Sequence, residues 1–184
     1  RSLQRRQTPQ LKRIIISLGG VDRTNVTGKV LEALAKTTLA HETELDIILG
    51  ATAPYLQAVQ AQAAQMPFLA TVSVNVTDMA EHMCQADLSI GAAGSTAWER
   101  CCLGLPSVLV ILAENQRMIG EALASAGGAV LIDEDRITID LAVHISRLSA
   151  SGLKLAQIAE NAAKLCDGGG NSRVVDRLIA RAAA

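Results

Sequence analysis

The stretch GAAGSTAWERCCLGLP, residues 91–106, decides how this chain is read. It follows Ala86-Asp87-Leu88-Ser89-Ile90, a short run with the character of a buried strand. It leads directly into a second such run, Ser107-Val108-Leu109-Val110-Ile111. Between them, small residues give way to hydroxyl residues and then to helix formers. A glycine-rich loop between a strand end and a helix start leaves backbone N–H groups bare, and it aims the positive end of a helix dipole at whatever sits there. Phosphate suits such a place. Ser95 or Thr96 is the expected N-cap. Glu99 falls in the first helical turn, where its carboxylate can reach the hydroxyls of a sugar. Thr96-x-x-Glu99 equally fits a capping box, in which Glu99 bonds back to the cap's own N–H. A sugar contact predicts that removing the carboxylate costs binding, whereas a capping role predicts lost stability.

Outward from this segment, strand and helix patterns alternate along the whole chain. Strands are expected over residues 13–18, 45–49, 68–76, 86–90, 107–111 and 129–132. Helices are expected from a Thr24 or Asn25 cap to about residue 37, from Pro54 to about 65, and from a Thr77 or Asp78 cap to about 85. Further helices are expected from the Ser95 or Thr96 cap and over residues 114–125, 139–149, 153–165 and 172–182. Six short apolar strands separated by helices imply an α/β domain, with a Rossmann-like, doubly wound, parallel six-stranded sheet covered on both faces. Ligands in such sheets bind beyond the C-terminal strand ends, near the point where strand order reverses. The glycine and polar residues cluster in those loops: Gly19-Gly20, Gly50-Ala51, Val76-Thr77, Gly91 to Ser95, Ala113 to Asn115 and Asp133-Glu134.

Composition narrows the partners. The formal net charge is −1, which implies no polyanion. Aromatic residues are limited to Tyr55, Phe68 and Trp98, which argues against stacking on single-stranded nucleic acid. The apolar run from Cys101 to Ala113 is broken by Gly104, Pro106 and Ser107, so no membrane span is expected. Cys84, Cys101, Cys102 and Cys166 lack metal or redox spacing and read as thiols of a reducing, cytoplasmic compartment. Residues 1–12 are polar and basic, with Pro9, and read as a solvated interdomain linker. The domain then occupies residues 13–184, and a further, N-terminal domain is expected outside this chain.

Two other loops attract interest. Gly19 and Gly20 follow the first strand and can let backbone approach a phosphate, or can serve as a plain tight turn. No GxGxxG motif and no Walker lysine accompany them. Asn115 and Gln116, just past the fifth strand, carry amides that can donate to diphosphate oxygens or sugar hydroxyls, or can simply open a helix. His41, His82 and His144 stand beside no nucleophile or carboxylate in a catalytic pattern, and each reads as structural or exposed. Asp167-Gly168-Gly169-Gly170-Asn171 reads as a flexible turn between the last two helices.

Residues 91–106, with ENQ at 114–116 behind them and VTDMAEHM at 76–83 ahead, resemble the C-terminal half of the UDP-sugar hydrolase family of pseudaminic acid biosynthesis. That family releases UDP from UDP-2,4-diacetamido-2,4,6-trideoxy-β-L-altrose. The chain is more distantly similar to the nucleotide-binding half of the UDP-GlcNAc transferase family that makes lipid II. The resemblance implies the C-terminal domain of a GT-B fold, whose active site lies in the cleft between two domains. It implies that Glu99 holds the ribose hydroxyls and that Gly94, Ser95 and Thr96 present donors to the diphosphate. Gly19 and Gly20 would line the sugar-phosphate side, Val76 and Met79 would flank the uracil, and Asn115 and Gln116 would face the sugar. Asn115 is the candidate for a catalytic contact here. The family's general-base histidine belongs to the other domain and has no counterpart in this chain. UDP or a UDP-sugar is the implied ligand, with no metal and no cofactor. This half alone is expected to bind UDP weakly and to turn over almost nothing. Two further possibilities are a GT-B glycosyltransferase half with the same donor site and a non-catalytic nucleotide-binding module.

Overall fold

The computed structural model describes residues 2–7 and 10–182. A one-turn helix α1 (Ser2–Arg5) precedes β1 (Arg13–Ser17), α2 (Val26–Ala35), β2 (Glu44–Leu49), α3 (Leu56–Ala63) and β3 (Leu69–Val74). The second half runs α4 (Met79–Gln85), β4 (Leu88–Ala92), α5 (Thr96–Cys102), β5 (Ser107–Ile111), α6 (Glu114–Ser125) and β6 (Val130–Asp133). A 3-10 turn (Glu134–Arg136) and a wide π turn (Ile137–Leu141) then lead into α7 (Ala142–Ser149), α8 (Gly152–Leu165) and α9 (Gly170–Ala182). The six strands form one parallel sheet in the order β3-β2-β1-β4-β5-β6, the doubly wound arrangement expected from the sequence.

The sheet centre is dry because its strands are apolar on both sides. Ile14, Ile15 and Ile16 of β1 are at most 1% exposed. Ile14 and Ile16 join Val30, Leu34, Leu141 and Ile145 on one face, while Ile15 joins Met83 and Leu105 on the other. Leu109 and Ile111 of β5 pack with Ala97, Leu123 and Ala162. Burying a side chain of this size contributes about 1.5–3 kcal/mol, so these central strands hold the frame on which the rim loops stand.

Several boundaries differ from the sequence reading. β4 runs on to Ala92 because Gly91 and Ala92 still pair with Ser17, Leu109 and Val110. β3 is shorter than expected, and residues 134–141 wind as 3-10 and π turns before α7 begins.

The basic N-terminal segment is not a solvated linker where it is described. Ser2 Oγ donates to the Leu103 carbonyl at 2.7 Å. Arg6, 5% exposed, donates to the carbonyls of Leu103, Ala86 and Met83 at 3.0, 2.7 and 3.0 Å. Burial holds its guanidinium down at about 10, still charged at neutral pH. Arg5 pairs with Asp87 at 2.8 Å, and the second Asp87 oxygen accepts the amides of Lys12 and Arg13 at 2.9 and 2.8 Å. Gly104, at φ +57°, makes room for Leu3: a Cβ there would sit 2.6 Å from Leu3 Cδ2. Arg1, Thr8, Pro9, Ala183 and Ala184 lie outside the described residues.

Candidate functional site

Strand order reverses between β1 and β4, so the connections leaving these neighbours turn to opposite sides and open a crevice above the seam. The loops at its edges are Leu18 to Asn25 and Ala93 to Ser95. Gly19 at φ +107° adopts backbone that favours glycine, and Gly20 beside it is exposed. The Gly20 carbonyl accepts the Gly50 amide at 2.8 Å, which fixes this loop to the end of β2.

The first loop satisfies its own helix. Asp22 and Asn25 both take left-handed backbone, at φ 39° and 55°. The Asp22 carboxylate accepts the amides of Val26 and Thr27, each at 2.8 Å, and Asn25 Oδ1 accepts that of Gly28 at 3.2 Å. Asn25 is thus the cap, one of the two expected. Asp22, which the sequence reading passed over, already places an anion on the α2 N-terminus. This end of the crevice offers little to a second anion, and Gly19 and Gly20 contribute backbone access.

The second loop is the open one. Ser95 precedes α5 but makes no side-chain cap bond, and the capping box, the alternative for Thr96 and Glu99, is not formed. The loop's first internal bonds are Ala97 N to Gly94 O and Trp98 N to Ser95 O, each at 3.0 Å. The amides of Gly94, Ser95 and Thr96 have no internal acceptor among the described residues. Glu99 is exposed and makes no hydrogen bond or ion pair among the described residues, so its carboxylate stands free. α5 has seven residues, so its dipole is a small part of what the site offers and the free amides are the larger.

Gln116 completes this side. Its Oε1 accepts the Leu112 amide at 3.1 Å, and its Nε2 lies 3.7 Å from where a Cβ on Gly94 would be. Gln116 and Gly94 are therefore neighbours. Asn115 is exposed at the start of α6. Val76 and Met79 are half-buried against the group of Ile15, Ile48, Met83, Ala86 and Leu105, forming apolar packing at the start of α4. Beyond Gln116, a cavity of about 400 Å³ at the ends of β5 and β6 is walled by ion pairs. These join Lys29 to Glu134 at 2.7 Å and Arg117 to Asp133 at 2.9 Å.

Beneath the open loop lies Arg100, which the sequence reading also missed. Its side chain is buried, with 2% exposure. Nη1 donates to Ala92 O at 3.1 Å, and Nη2 reaches Ser17 O at 3.5 Å. Burial lowers its pKa to about 10. The sequence did hold a signal: Ala97, Arg100 and Cys101 recur at helical spacing on the buried stripe of α5.

The histidines take no part in this rim. His41 Nδ1 meets Pro67 O at 3.0 Å. His82 Nδ1 lies 2.7 Å from the buried Asp46 carboxylate, a partner the sequence reading did not give it, and Arg13 reaches the same carboxylate at 3.0 Å. This pairing fastens α4 to the middle of β2, away from the strand ends. Cys102 Sγ donates to Cys166 Sγ at 3.0 Å, and burial pushes the Cys101 thiol up to about 11. No group of three metal-ligating side chains occurs among the described residues, nor does a helix long and apolar enough to cross a membrane.

The chain is similar to several known proteins. The spore coat polysaccharide biosynthesis protein SpsG of Bacillus subtilis is 27% identical over 165 residues, covering 89% of this chain and 48% of that protein. The UDP-N-acetylglucosamine–N-acetylmuramyl-(pentapeptide) pyrophosphoryl-undecaprenol N-acetylglucosamine transferase of Caulobacter vibrioides is 28% identical over 165 residues, covering 84% of this chain and 45% of that one. The crystal structure of Acinetobacter baumannii MurG superposes with a TM-score of 0.76 at 23% identity, over 95% of this chain and 52% of that chain. The chain thus spans about half the length of the curated relatives it matches. Its fold is the Rossmann-like, C-terminal half of a GT-B fold. None of these relatives bears a hydrolase name. The model of the glycosyltransferase family 28 C-terminal domain matches residues 14–170, and the chain belongs to that family.

Proposed function

We propose that this chain is the donor-binding half of a GT-B glycosyltransferase that uses a UDP-linked amino sugar. The observation that carries the reading is the pairing, at the β1–β4 crevice, of three unpartnered amides (Gly94, Ser95, Thr96) with the free carboxylate of Glu99. Amides without acceptors suit diphosphate oxygens, and a carboxylate without donors suits the paired hydroxyls of a ribose. Family membership and the transferase names of the relatives support the same donor class. In this reading, Ser95 and Thr96 stabilise charge that develops on the leaving diphosphate as the sugar–phosphate bond breaks. Glu99 fixes the ribose, Val76 and Met79 flank the base, and Gln116 and Asn115 face the sugar. The acceptor and the general base belong to a second domain, which joins this one ahead of residue 13. The apolar residues exposed on α9 (Val174, Val175, Leu178 and Ile179) suit a surface that another domain covers.

The test is a calorimetric titration of this chain with UDP, ADP and GDP. Binding of UDP in preference to the purine diphosphates supports the reading, and absence of UDP binding at millimolar concentration overturns it. The run at residues 91–106 also favours a second reading, in which the complete protein hydrolyses a UDP-linked diacetamido-trideoxy sugar with water as acceptor. Supplying the complete protein with UDP-sugars, with and without acceptors, separates the two. Acceptor-dependent UDP release supports transfer, and free sugar without an acceptor supports hydrolysis.

A further inference from the structure

The guanidinium of Arg100 occupies an unusual place: the seam between β1 and β4, directly under the open loop. The path it takes exists because residue 91 has no side chain. A Cβ on Gly91 would sit 2.2 Å from Arg100 Nη2 and 2.5 Å from Cζ. The side chain is 2% exposed. It donates to the last carbonyl of β4, Ala92, and reaches that of β1, Ser17. Its Nε is buried and has no partner. No carboxylate pairs with it among the described residues. Glu99, the adjacent residue, is the acidic group it feels, and that side chain is exposed.

An unpaired buried cation costs several kcal/mol of desolvation; Arg6 offsets this with three carbonyls, whereas Arg100 has two and an Nε without a partner. Here the compensation is two carbonyl dipoles, so a net positive charge remains beneath the crevice, screened less than a surface charge. Asp22 fills the α2 end of the crevice with negative charge, and so the positive field lies on the β4 side, where the free amides are.

We propose that Arg100 is a positioning residue of the diphosphate site: it ties the ends of β1 and β4 together beneath the glycine loop and supplies the buried positive charge that a nucleoside diphosphate neutralises. This rests on the donor-binding reading above and goes beyond it by naming the group that recognises charge rather than shape.

The experiment compares UDP with uridine. Wild type, Arg100→Gln and Arg100→Lys are titrated with both ligands by calorimetry, at low and at physiological salt. The expected result is a fall of about tenfold or more in UDP affinity for Arg100→Gln, unchanged uridine affinity, and recovery of most UDP affinity in Arg100→Lys. Equal losses for UDP and uridine would show a structural role alone and overturn the proposal, as would a folded Arg100→Gln chain that binds UDP like wild type. A second measurement needs no neutral variant to fold. In wild type the Arg100 Nε–H resonance, assigned by its absence from Arg100→Lys, shifts with UDP and not with uridine; a resonance static at saturating UDP overturns the proposal. Failure of wild type to bind UDP at all overturns the donor reading and this inference with it, an outcome distinct from UDP binding that ignores Arg100.

Discussion

Gln116 and Gly94 face each other across the rim: the Gln116 amide nitrogen stands 3.7 Å from where a Gly94 Cβ would be, while its oxygen is held by the Leu112 amide. The bond to Leu112 leaves the NH₂ group turned toward the glycine loop. Gln116→Glu keeps the acceptor for Leu112 but replaces that donor with negative charge. Thermal stability is expected to hold, while UDP affinity falls about tenfold or more through repulsion of the diphosphate. Paired melting curves and titrations check both halves of this expectation.

Glu99 offers the opposite case. It makes no hydrogen bond or ion pair within the described chain, so Glu99→Ala breaks no contact of the fold. The melting temperature is expected to stay at its wild-type value while UDP binding weakens by about 1.5–3 kcal/mol, the range for hydrogen bonds to a charged group. A stability loss with unchanged affinity would return Glu99 to the capping role.

Asp87 is the anchor of the N-terminal segment, with Arg5, Lys12 N and Arg13 N all donating to it. Asp87→Ala removes the acceptor of the Lys12 and Arg13 amides, at about 1–3 kcal/mol for each one that water does not reach, and releases the exposed Arg5 to solvent. The urea midpoint is expected to fall. Trypsin is expected to cleave after Arg5 and Arg6 sooner than in wild type, before the sheet itself opens.

His144 gives the pH dependence. Burial, and secondarily Arg147, lowers its pKa below the ordinary 6.5, with Asp140 opposing. The folded chain therefore favours the neutral ring. Stability is unaffected above about pH 6.5 and is lost as pH falls below that value. In His144→Gln this acid-side loss is expected to flatten, as read from urea midpoints at about pH 7.5, 6.5 and 5.5.

The strands were legible because a parallel sheet buried on both faces demands contiguous apolar runs, and Ile14-Ile15-Ile16 and Val108-Leu109-Val110-Ile111 have no other use. Gly91 and Ala92 hid the end of β4, since small residues after an apolar run look like loop; Gly91 lacks a side chain where Arg100 passes. Arg6 and Arg100 were missed for one reason. A charged residue is read as solvated until the carbonyls around it are known, and those come from distant parts of the chain. Asp22 escaped because its work depends on left-handed backbone at two positions, which composition does not disclose. Glu99 and residues 94–96 could be nominated as candidates because loop, hydroxyls and acid are contiguous in sequence, and the structure leaves them without internal partners among the described residues.

Within the sheet, strands β1–β3 and β4–β6 meet along a single border, β1 against β4. A molecule seated across the loops on either side of that border resists their separation, and occupancy adds RT ln(1 + [L]/Kd) to the work of unfolding. The chain is consequently its own reporter: a melt series over a shelf of nucleotides would rank candidate donors by how strongly each one knits the two trios of strands together.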